Sequence, residues 1–388
     1  MKIKWVILAV LAGFLVLLMN LSSVAVNTRD VDRVRSKGVL DNQDLRIIDD
    51  FIAEAVQELV KTRDFASIAK LRTVILSRKS TQGQYAQQFS ESTHRHISAG
   101  FTQAQELMPE DRKTKVVVNL LILIDGLEDL RLADLAIGML KDKNMIVRYW
   151  AVHCLTNPPI IQQLNSAGTS NSSPAEAIAG ELGQLVESSS PEIIALIARF
   201  AADVKIPQGE DLLGQIADTR IKRYADWTVK YELMDSAILK LLESKIPLPS
   251  AGPGGPMPTA SSSKPEIARR FGQLYSYAIQ RYAKGQAFLS EIQKQQLASI
   301  LVETEEKCIS RLLGRPQTTI RRAVERENFT ALLDEHNRLL GDETRAGELP
   351  SKLNFDYGTS SGSRRTAPIP LPDPPRRPTT PQPDSTRP

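Results

Sequence analysis

The sequence predicts an all-α protein, and three observations support that prediction. From Asp41 onward, apolar residues recur at i, i+3 and i+4 spacings, as they do along one face of a helix. Aromatic residues make up only 5% of the 388 residues, and the plentiful Val, Ile and Leu follow the helical period, so a large β-sheet is not expected. A pair of helices also recurs in the middle of the chain at a fixed spacing.

The first element is an apolar segment, residues 5–26, which follows Lys2 and Lys4. It is long enough to span a bilayer of about 30 Å. The small residues that end at Ala25 also resemble the cleavage site of a secretory signal peptide. The segment is therefore predicted to be a membrane anchor or a removable signal peptide. We expect the bulk of the chain on the exported side of a membrane, and a secreted protein if cleavage follows Ala25.

A series of helices is predicted next. Asp41 or Asn42 suits the N-cap of the first helix, since each has a side-chain oxygen that can accept a backbone N–H. Residues 64–79 and 82–107 are predicted to form two more helices. Residues 116–124 are apolar on all sides, which indicates a helix buried between neighbours, and the run is too short for a second membrane span.

The middle of the chain contains a repeated helix pair. Residues 133–157 predict a short helix, a turn at 141–144 and a second helix, and residues 176–204 repeat this arrangement. Val147 and Ile193 occupy equivalent positions 46 residues apart. A repeated helix pair at such a spacing is typical of an α-solenoid, in which neighbouring pairs bury their apolar faces against each other.

The stretch 133–157 resembles the HEAT repeat, and the resemblance is weaker over 176–204. The family's pattern is an acidic turn followed by a Val-Arg pair and then by small and apolar helix positions. The residues of this chain that match it are Asp142, Val147, Arg148, Ala151 and Leu155. In the second stretch Ile194 occupies the Arg position, which departs from the pattern. The resemblance implies a HEAT-like α-solenoid over 41–246, in which the five matching residues have structural roles.

The resemblance also implies that the second helix of each pair lines the concave face of the solenoid. In the helix after the turn, Tyr149 and His153 lie one helical turn apart, on a different face from Val147 and Leu155. Tyr149, His153 and Thr156 are therefore the candidates for contact with a partner protein.

The rest of the chain divides by composition. Residues 247–265 are rich in Pro, Gly and Ser and are predicted to be a flexible linker. Three helices are predicted within 266–341, as a small helical unit. Residues 349–388 are Pro-rich and lack apolar periodicity, so they are predicted to be a disordered tail. The run PLPDPP at 370–375 is suited to dock into an aromatic groove as a polyproline ligand, or to serve as a plain spacer.

The sequence presents no motif for catalysis, metal binding or cofactor binding. The four histidines have no Cys or carboxylate at the spacing of a metal site, so neither a metal nor a cofactor is predicted. Nucleophile-elbow and phosphate-loop motifs are absent from the sequence. Two cysteines, Cys154 and Cys308, are too few for a disulfide framework.

These observations predict a non-enzymatic, membrane-tethered or exported helical-repeat scaffold that binds another protein. The net charge of +4 is small for a nucleic-acid-binding protein, so a nucleic-acid partner is not expected. Two alternatives stay open. One is an envelope-associated enzyme with no recognisable motif, for which Asp125, Glu128 and His153 are the residues to test. The other is a membrane-tethered binder of nucleic acid or of an anionic surface, through the basic residues of 264–328.

Overall fold

The computed structural model describes residues 26–81, 83–166, 173–247, 264–360 and 363–374. These residues form many packed helices and one β-hairpin with two-residue strands, which confirms the all-α prediction. They divide into two compact units, of which the first ends at Gln163 and the second begins at Leu164.

The described part of unit 1 contains eight helices, the last of which crosses the boundary between the units. They are α1 Arg29–Arg35, α2 Asn42–Lys61, α3 Phe65–Leu76, α4 Gly83–Gln105, α5 Glu110–Leu127, α6 Ala133–Ile137, α7 Met145–Thr156 and α8 Pro158–Ser166. A 3-10 turn, Leu130–Leu132, precedes α6. Asp41 caps α2, because its side chain accepts the N–H groups of Gln43 and Asp44. The helix α2 packs along α4, and α5 packs against α3, α4 and α7.

Unit 2 contains the remaining helices and the hairpin. The helices are α9 Ser173–Leu185, α10 Pro191–Asp203, α11 Pro207–Ala225, α12 Met234–Ser244, α13 Pro265–Lys284, α14 Glu291–Thr304, α15 Ser310–Leu313, α16 Thr319–Glu325, α17 Phe329–Leu340 and α18 Glu348–Leu353. A π-helical turn, Glu305–Ile309, joins α14 to α15. Strand β1, Thr359–Ser360, pairs antiparallel with β2, Ser363–Arg364.

The centre of unit 2 is α13. It packs against α11, α12, α14, α17 and α18, and most of its residues are buried. Such a helix places polar side chains in the interior, where each needs a hydrogen-bond partner. Tyr275 donates its hydroxyl proton to the carbonyl oxygen of Leu301 over 3.1 Å. Ser276 Oγ lies 2.8 Å from Nε2 of His336. Local polar pairs of this kind connect α13 to its neighbours.

Two ion pairs lie in the interior of unit 2. Arg220 of α11 and Asp235 of α12, which are 1% and 0% exposed, form two hydrogen bonds, Nε to Oδ1 at 2.7 Å and Nη2 to Oδ2 at 2.9 Å. Tyr224 donates its hydroxyl proton to the same carboxylate over 2.7 Å. Arg281 of α13 donates from Nη2 to Oε1 of Glu232 over 3.1 Å. Because an unpaired buried charge costs several kcal/mol, these pairs fix α11, α12 and α13 to one another.

A third buried carboxylate belongs to the π-helical turn. Glu305 is fully buried, and its two carboxylate oxygens accept the N–H groups of Ile320 at 2.7 Å and Arg321 at 2.8 Å. Both N–H groups lie in the first turn of α16, where the helix itself supplies no acceptor. The side chain of Glu305 therefore caps a helix that begins fourteen positions further along the chain.

The units differ from the predicted domains. The predicted boundary between 41–246 and 266–341 falls inside unit 2, because α11 and α12 pack directly against α13. Of the predicted linker 247–265, residues 248–263 lie outside the described residues. Apolar periodicity marks which segments are helical, but it does not say which helices share a core.

The prediction of a disordered tail from residue 349 requires a correction. Residues 349–360 and 363–374 belong to unit 2, and Leu349, Tyr357 and Leu371 are each more than nine-tenths buried. A Pro-rich composition removes the helical period, but it does not prevent an extended chain from packing on a helical surface. The rest of the predicted tail lies outside the described residues.

The membrane prediction concerns a part of the chain that the structure does not describe. Residues 5–25 of the predicted anchor or signal peptide lie outside the described residues. Every helix within the described ranges is too short or too polar to cross a bilayer.

Replacement of Asp235 by Asn should destabilise the full-length chain by about 3–5 kcal/mol, because it leaves the buried Arg220 guanidinium without a counter-charge. The measurement is the midpoint of urea unfolding, followed by circular dichroism. Asp226→Asn is the matched control, since Asp226 is exposed near the same loop and its loss should shift stability by no more than about 0.5 kcal/mol. Equal midpoints for the Asp235 variant and this control would contradict a structural role for the ion pair.

Candidate functional site

The turn before α7 is fixed by side chains that bond to nearby backbone. Asn144 Oδ1 accepts the N–H of Ile146 over 2.8 Å and caps α7, and Asp142 Oδ1 accepts the N–H of Asn144 over 2.7 Å. Arg148 reaches back across the turn, and its Nη1 donates to the carbonyl oxygens of Asp142 at 2.8 Å and Lys143 at 3.1 Å. The acidic residue and the arginine of the HEAT-like pattern are thus both engaged in the turn.

One face of α7 is packed into unit 1. Val147 is 2% exposed, and Ala151 and Leu155 are fully buried. Cys154 is also buried, and its Sγ lies 3.2 Å from the carbonyl oxygen of Leu121 on α5. Burial raises the pKa of the Cys154 thiol far above its ordinary value, so this thiol stays protonated. This face anchors the helix and presents no reactive group.

Three rings lie together on the other side of α7. Tyr149, Trp150 and His153 are each partly exposed. The ring centroid of Trp150 lies 5.8 Å from that of Tyr149 and 5.2 Å from that of His153, and Tyr149 and His153 are 6.0 Å apart. Sequence reasoning identified Tyr149 and His153 but not Trp150. Trp150 lies one residue after Tyr149 and three before His153, and this spacing was the signal in the sequence that could have placed it beside them.

An aspartate holds the histidine of this cluster. His153 Nδ1 donates to Oδ1 of Asp125 over 2.9 Å, and Asn157 Nδ2 donates to the same oxygen, also over 2.9 Å. Asp125 lies on α5, which packs against α7. The hydrogen bond to Asp125 raises the pKa of His153 above its ordinary value of 6.5. The ring therefore has a fixed orientation.

Two other histidines of unit 1 also contact an aspartate. His94 Nε2 lies 2.8 Å from Asp134 Oδ2, and His96 Nε2 lies 2.9 Å from Asp49 Oδ1. In the sequence, no histidine has a carboxylate at the spacing of a metal site. These aspartates are separated from their histidines by 40 and 47 positions, so local residue spacing could not predict the pairs.

Thr156 is removed from the set of contact candidates. Its side chain is 5% exposed, and its hydroxyl donates to the carbonyl oxygen of Val152, one turn earlier, over 2.9 Å. The helical period alone places Thr156 on the same face as Tyr149 and His153. The end of α7 is buried, however, and so only the first two can reach a partner.

The exposed face of α7 continues toward the start of the helix with two apolar side chains. Met145 and Ile146 are 54% and 55% exposed. They precede the rings by three to four positions, so that they lie on the same side of the helix. We refer to these residues together as the α7 stripe, which consists of Met145, Ile146, Tyr149, Trp150 and His153.

A cleft of unit 1 is less suited to a ligand. It has a volume of about 440 Å³ and lies near the ends of α3, α4 and α5. Lys79 Nζ donates to Glu128 Oε2 over 2.7 Å, and Ser90 and Arg131 both bond to Asp129. Its charged groups thus satisfy one another. Across the described ranges, no group of three or more His, Cys, Asp or Glu side chains is placed to hold a metal ion.

Comparisons with known proteins give no family assignment. No family model matches this chain, and no curated protein matches it. Among solved structures, a crystal structure of an engineered protein from the Northeast Structural Genomics Consortium is similar over 86% of this chain and 95% of that chain, at 13% identity and a TM-score of 0.23. A TM-score this low carries no argument about fold or function. The described helices are compatible with a helical repeat.

The imidazole of His153 should titrate in the full-length chain with a pKa above 6.5, as followed by NMR of its ring protons. Asp125→Asn should lower that pKa, because the carboxylate favours the protonated ring. The pair therefore stabilises the fold fully below about pH 6.5, and this contribution is lost as the pH rises through the folded-state pKa. An unchanged titration in the Asp125 variant would show that the hydrogen bond does not form in solution.

Proposed function

We propose that this chain is a helical-repeat scaffold that binds another protein through the α7 stripe. The observation that supports this proposal most directly is a contiguous run of apolar and aromatic side chains. They lie on the solvent side of α7, whose other face is well packed. Scattered exposed apolar residues are ordinary, whereas a continuous set on one face is typical of an interaction site.

The residue types of the stripe suit a protein partner. Trp150 and Tyr149 offer large rigid surfaces with one polar atom each, and such residues dominate the binding energy of many protein interfaces. Met145 adapts its shape to an irregular partner surface. His153, whose ring is oriented by Asp125, adds a polar group with a defined direction. A partner with an apolar groove and a polar group opposite His153 would complement this surface.

The stripe is also held in place before any partner binds. The buried face of α7 fixes the helix, Asn144 and Arg148 fix its first turn, and Asp125 fixes the ring of His153. Binding therefore needs little further ordering of the side chains. The ordering of one free side chain on association costs about 0.5–1.5 kcal/mol. A preformed surface on packed helices is what a scaffold requires.

The predicted tether completes the proposal. Residues 5–26 would hold the scaffold at a membrane, or would direct it to an exported compartment and be removed. In either case the helical units would act outside the cytoplasmic face, where the partner would also have to be located.

The α7 stripe can be tested by photo-crosslinking of the full-length chain in its own cells. A benzoylphenylalanine in place of Tyr149 should give a discrete adduct, because the partner would lie on this residue. The same probe in place of Glu54, an exposed residue of α2, should not give that adduct. Adding Ile146→Asp to the Tyr149 probe should lower the yield about tenfold, as for a lost contact of about 1.4 kcal/mol. Adducts that are identical at both probe positions, or that are insensitive to Ile146→Asp, would contradict the proposal.

The fate of residues 1–25 can be decided by intact-mass measurement of the chain from separated cell fractions. An anchor should give a chain that retains these residues and requires detergent for release, because its apolar segment stays in the bilayer. A signal peptide should give a soluble exported chain that begins at Val26. A chain that retains residues 1–25 and is soluble without detergent would contradict both forms of the tether.

A further inference from the structure

An extended segment of unit 2 lies across its central helix. We refer to residues 366–373 as the strap. Pro368 and Leu371 are buried, and Ile369, Pro370 and Pro372 between and after them are exposed. A polyproline helix has three residues per turn, so residues 368 and 371 point to the same side. The strap therefore sits on unit 2 as a polyproline ligand sits on its receptor, with one side chain per turn directed inward.

Side chains of unit 2 bind the backbone of the strap. Gln273 makes two hydrogen bonds with residue 369: its Nε2 donates to the carbonyl oxygen over 2.9 Å, and its Oε1 accepts the N–H over 2.8 Å. Gln280 Oε1 accepts the N–H of Leu371 over 2.8 Å, and Lys284 Nζ donates to the carbonyl oxygen of Leu371 over 2.7 Å. These contacts recognise an extended backbone and not a particular set of side chains.

An aromatic residue also binds the backbone of the strap. Trp227 Nε1 donates to the carbonyl oxygen of Pro372 over 2.9 Å. The guanidinium of Arg281 lies over the indole ring, 5.1 Å from its centroid, and Arg281 is itself paired with the buried Glu232. We refer to Trp227, Gln273, Gln280 and Lys284 as the α13 groove. An indole N–H that donates to a carbonyl beside proline is suited to polyproline recognition, where aromatic grooves bind preformed extended chains.

The positions of the prolines match the hydrogen bonds. The groove uses the N–H groups of Ile369 and Leu371 and none from the intervening positions. Residues 368, 370 and 372 are proline and have no N–H to satisfy. The groove thus accepts a chain in which prolines alternate with residues that retain their N–H.

The strap covers the two glutamines that bind it. With the strap in place, Gln273 and Gln280 are 6% and 7% exposed, and they lie seven positions apart on one face of α13. The strap therefore shields their amide groups from water and at the same time satisfies their hydrogen bonds. Another extended chain could form the same hydrogen bonds, because those bonds go to backbone atoms of the strap, while the inward side chains of Pro368 and Leu371 add a preference for the residues at those two positions.

From this geometry we propose that the α13 groove is a binding site for extended, proline-spaced peptides of other proteins, and that the strap is its internal occupant. A peptide in trans must compete with a strap that is covalently attached and so present at a high effective concentration. The tetrapeptide Ile-Pro-Leu-Pro of the strap also occurs at 246–249 of this chain, preceded by Lys245 where the strap has Pro368. A peptide of this second copy therefore tests the effect of replacing Pro368, which points inward in the strap, by lysine.

Fluorescence anisotropy with a labelled peptide of residues 365–374 tests the site. The hosts are the full-length chain, its Leu371→Asp variant and its Pro370→Asp variant, which adds the same charge at an exposed position. Leu371→Asp places a carboxylate in a buried position and should release the strap. The peptide should then bind the Leu371 variant at least about tenfold more tightly than the other two hosts. Equal affinity for the Leu371 and Pro370 variants would overturn the proposal.

Further variants show which groups recognise the peptide. In the Leu371→Asp host, Gln273→Ala and Gln280→Ala should each weaken peptide binding about tenfold, as for a lost buried hydrogen bond. A peptide with Leu371→Pro, which lacks the N–H used by Gln280, should bind as weakly. A peptide of residues 244–252 should bind less tightly than the strap peptide, because Lys245 replaces Pro368. Peptide affinity that ignores both glutamine substitutions would contradict the assignment of the groove.

Hydrogen exchange on the wild-type chain provides a test that does not depend on a variant's folding. The amides of Ile369 and Leu371 should be protected, because their N–H groups are bonded to the groove. Unlabelled strap peptide at millimolar concentration should increase the exchange of both amides, whereas those of α14 should not change. Unchanged exchange of the strap amides under excess peptide would show that the strap is a permanent part of the unit, and the proposal would fail. The α7 stripe is unaffected by either result.

Discussion

The buried ion pairs of unit 2 are the constraint on which that unit depends. Two guanidinium groups lie in the interior, and each stays charged, so each must face a carboxylate. The pairs Arg220–Asp235 and Arg281–Glu232 meet this requirement only if α11, α12 and α13 hold one arrangement. The same arrangement positions Trp227, because its ring packs under Arg281. An apolar core could tolerate small shifts of these helices, whereas charged pairs with short hydrogen bonds restrict them to one geometry.

A related constraint acts on α13 itself. Residues 271–282 of this helix are buried, so the polar groups of their side chains need partners within the protein. Ser276 uses His336, Arg281 uses Glu232, and Gln273 uses the extended strap. The strap is thus both a candidate ligand and a part of the interior. These two roles are compatible because the glutamine amides of α13 bond to the backbone of the strap. The backbone of another extended chain could form the same hydrogen bonds.

Local signals in the sequence predicted the helices well, and long-range contacts lay beyond them. The prediction that Asp41 or Asn42 caps α2 and the prediction of a structural role for Arg148 both depend on residues within a few positions, and Asp41 and Arg148 form their bonds at that range. The pairing of His153 with Asp125 depends on how α5 and α7 pack. The apolar periodicity of the sequence does not predict the packing of these two helices. The strap was expected to be disordered, since composition describes what a segment cannot do alone and says nothing of a groove formed almost a hundred residues earlier.

The separation between Gln273 and Ile369, 96 positions, has a consequence for how this protein matures on the ribosome. The central helix of unit 2 is synthesised well before the segment that satisfies its amides, and at elongation rates of about 5–20 residues per second the delay lasts several seconds or more. During that interval the amides of the nascent helix are hydrogen-bonded to water and not to the strap. The interior of unit 2 can therefore be completed only after residues 366–373 have emerged.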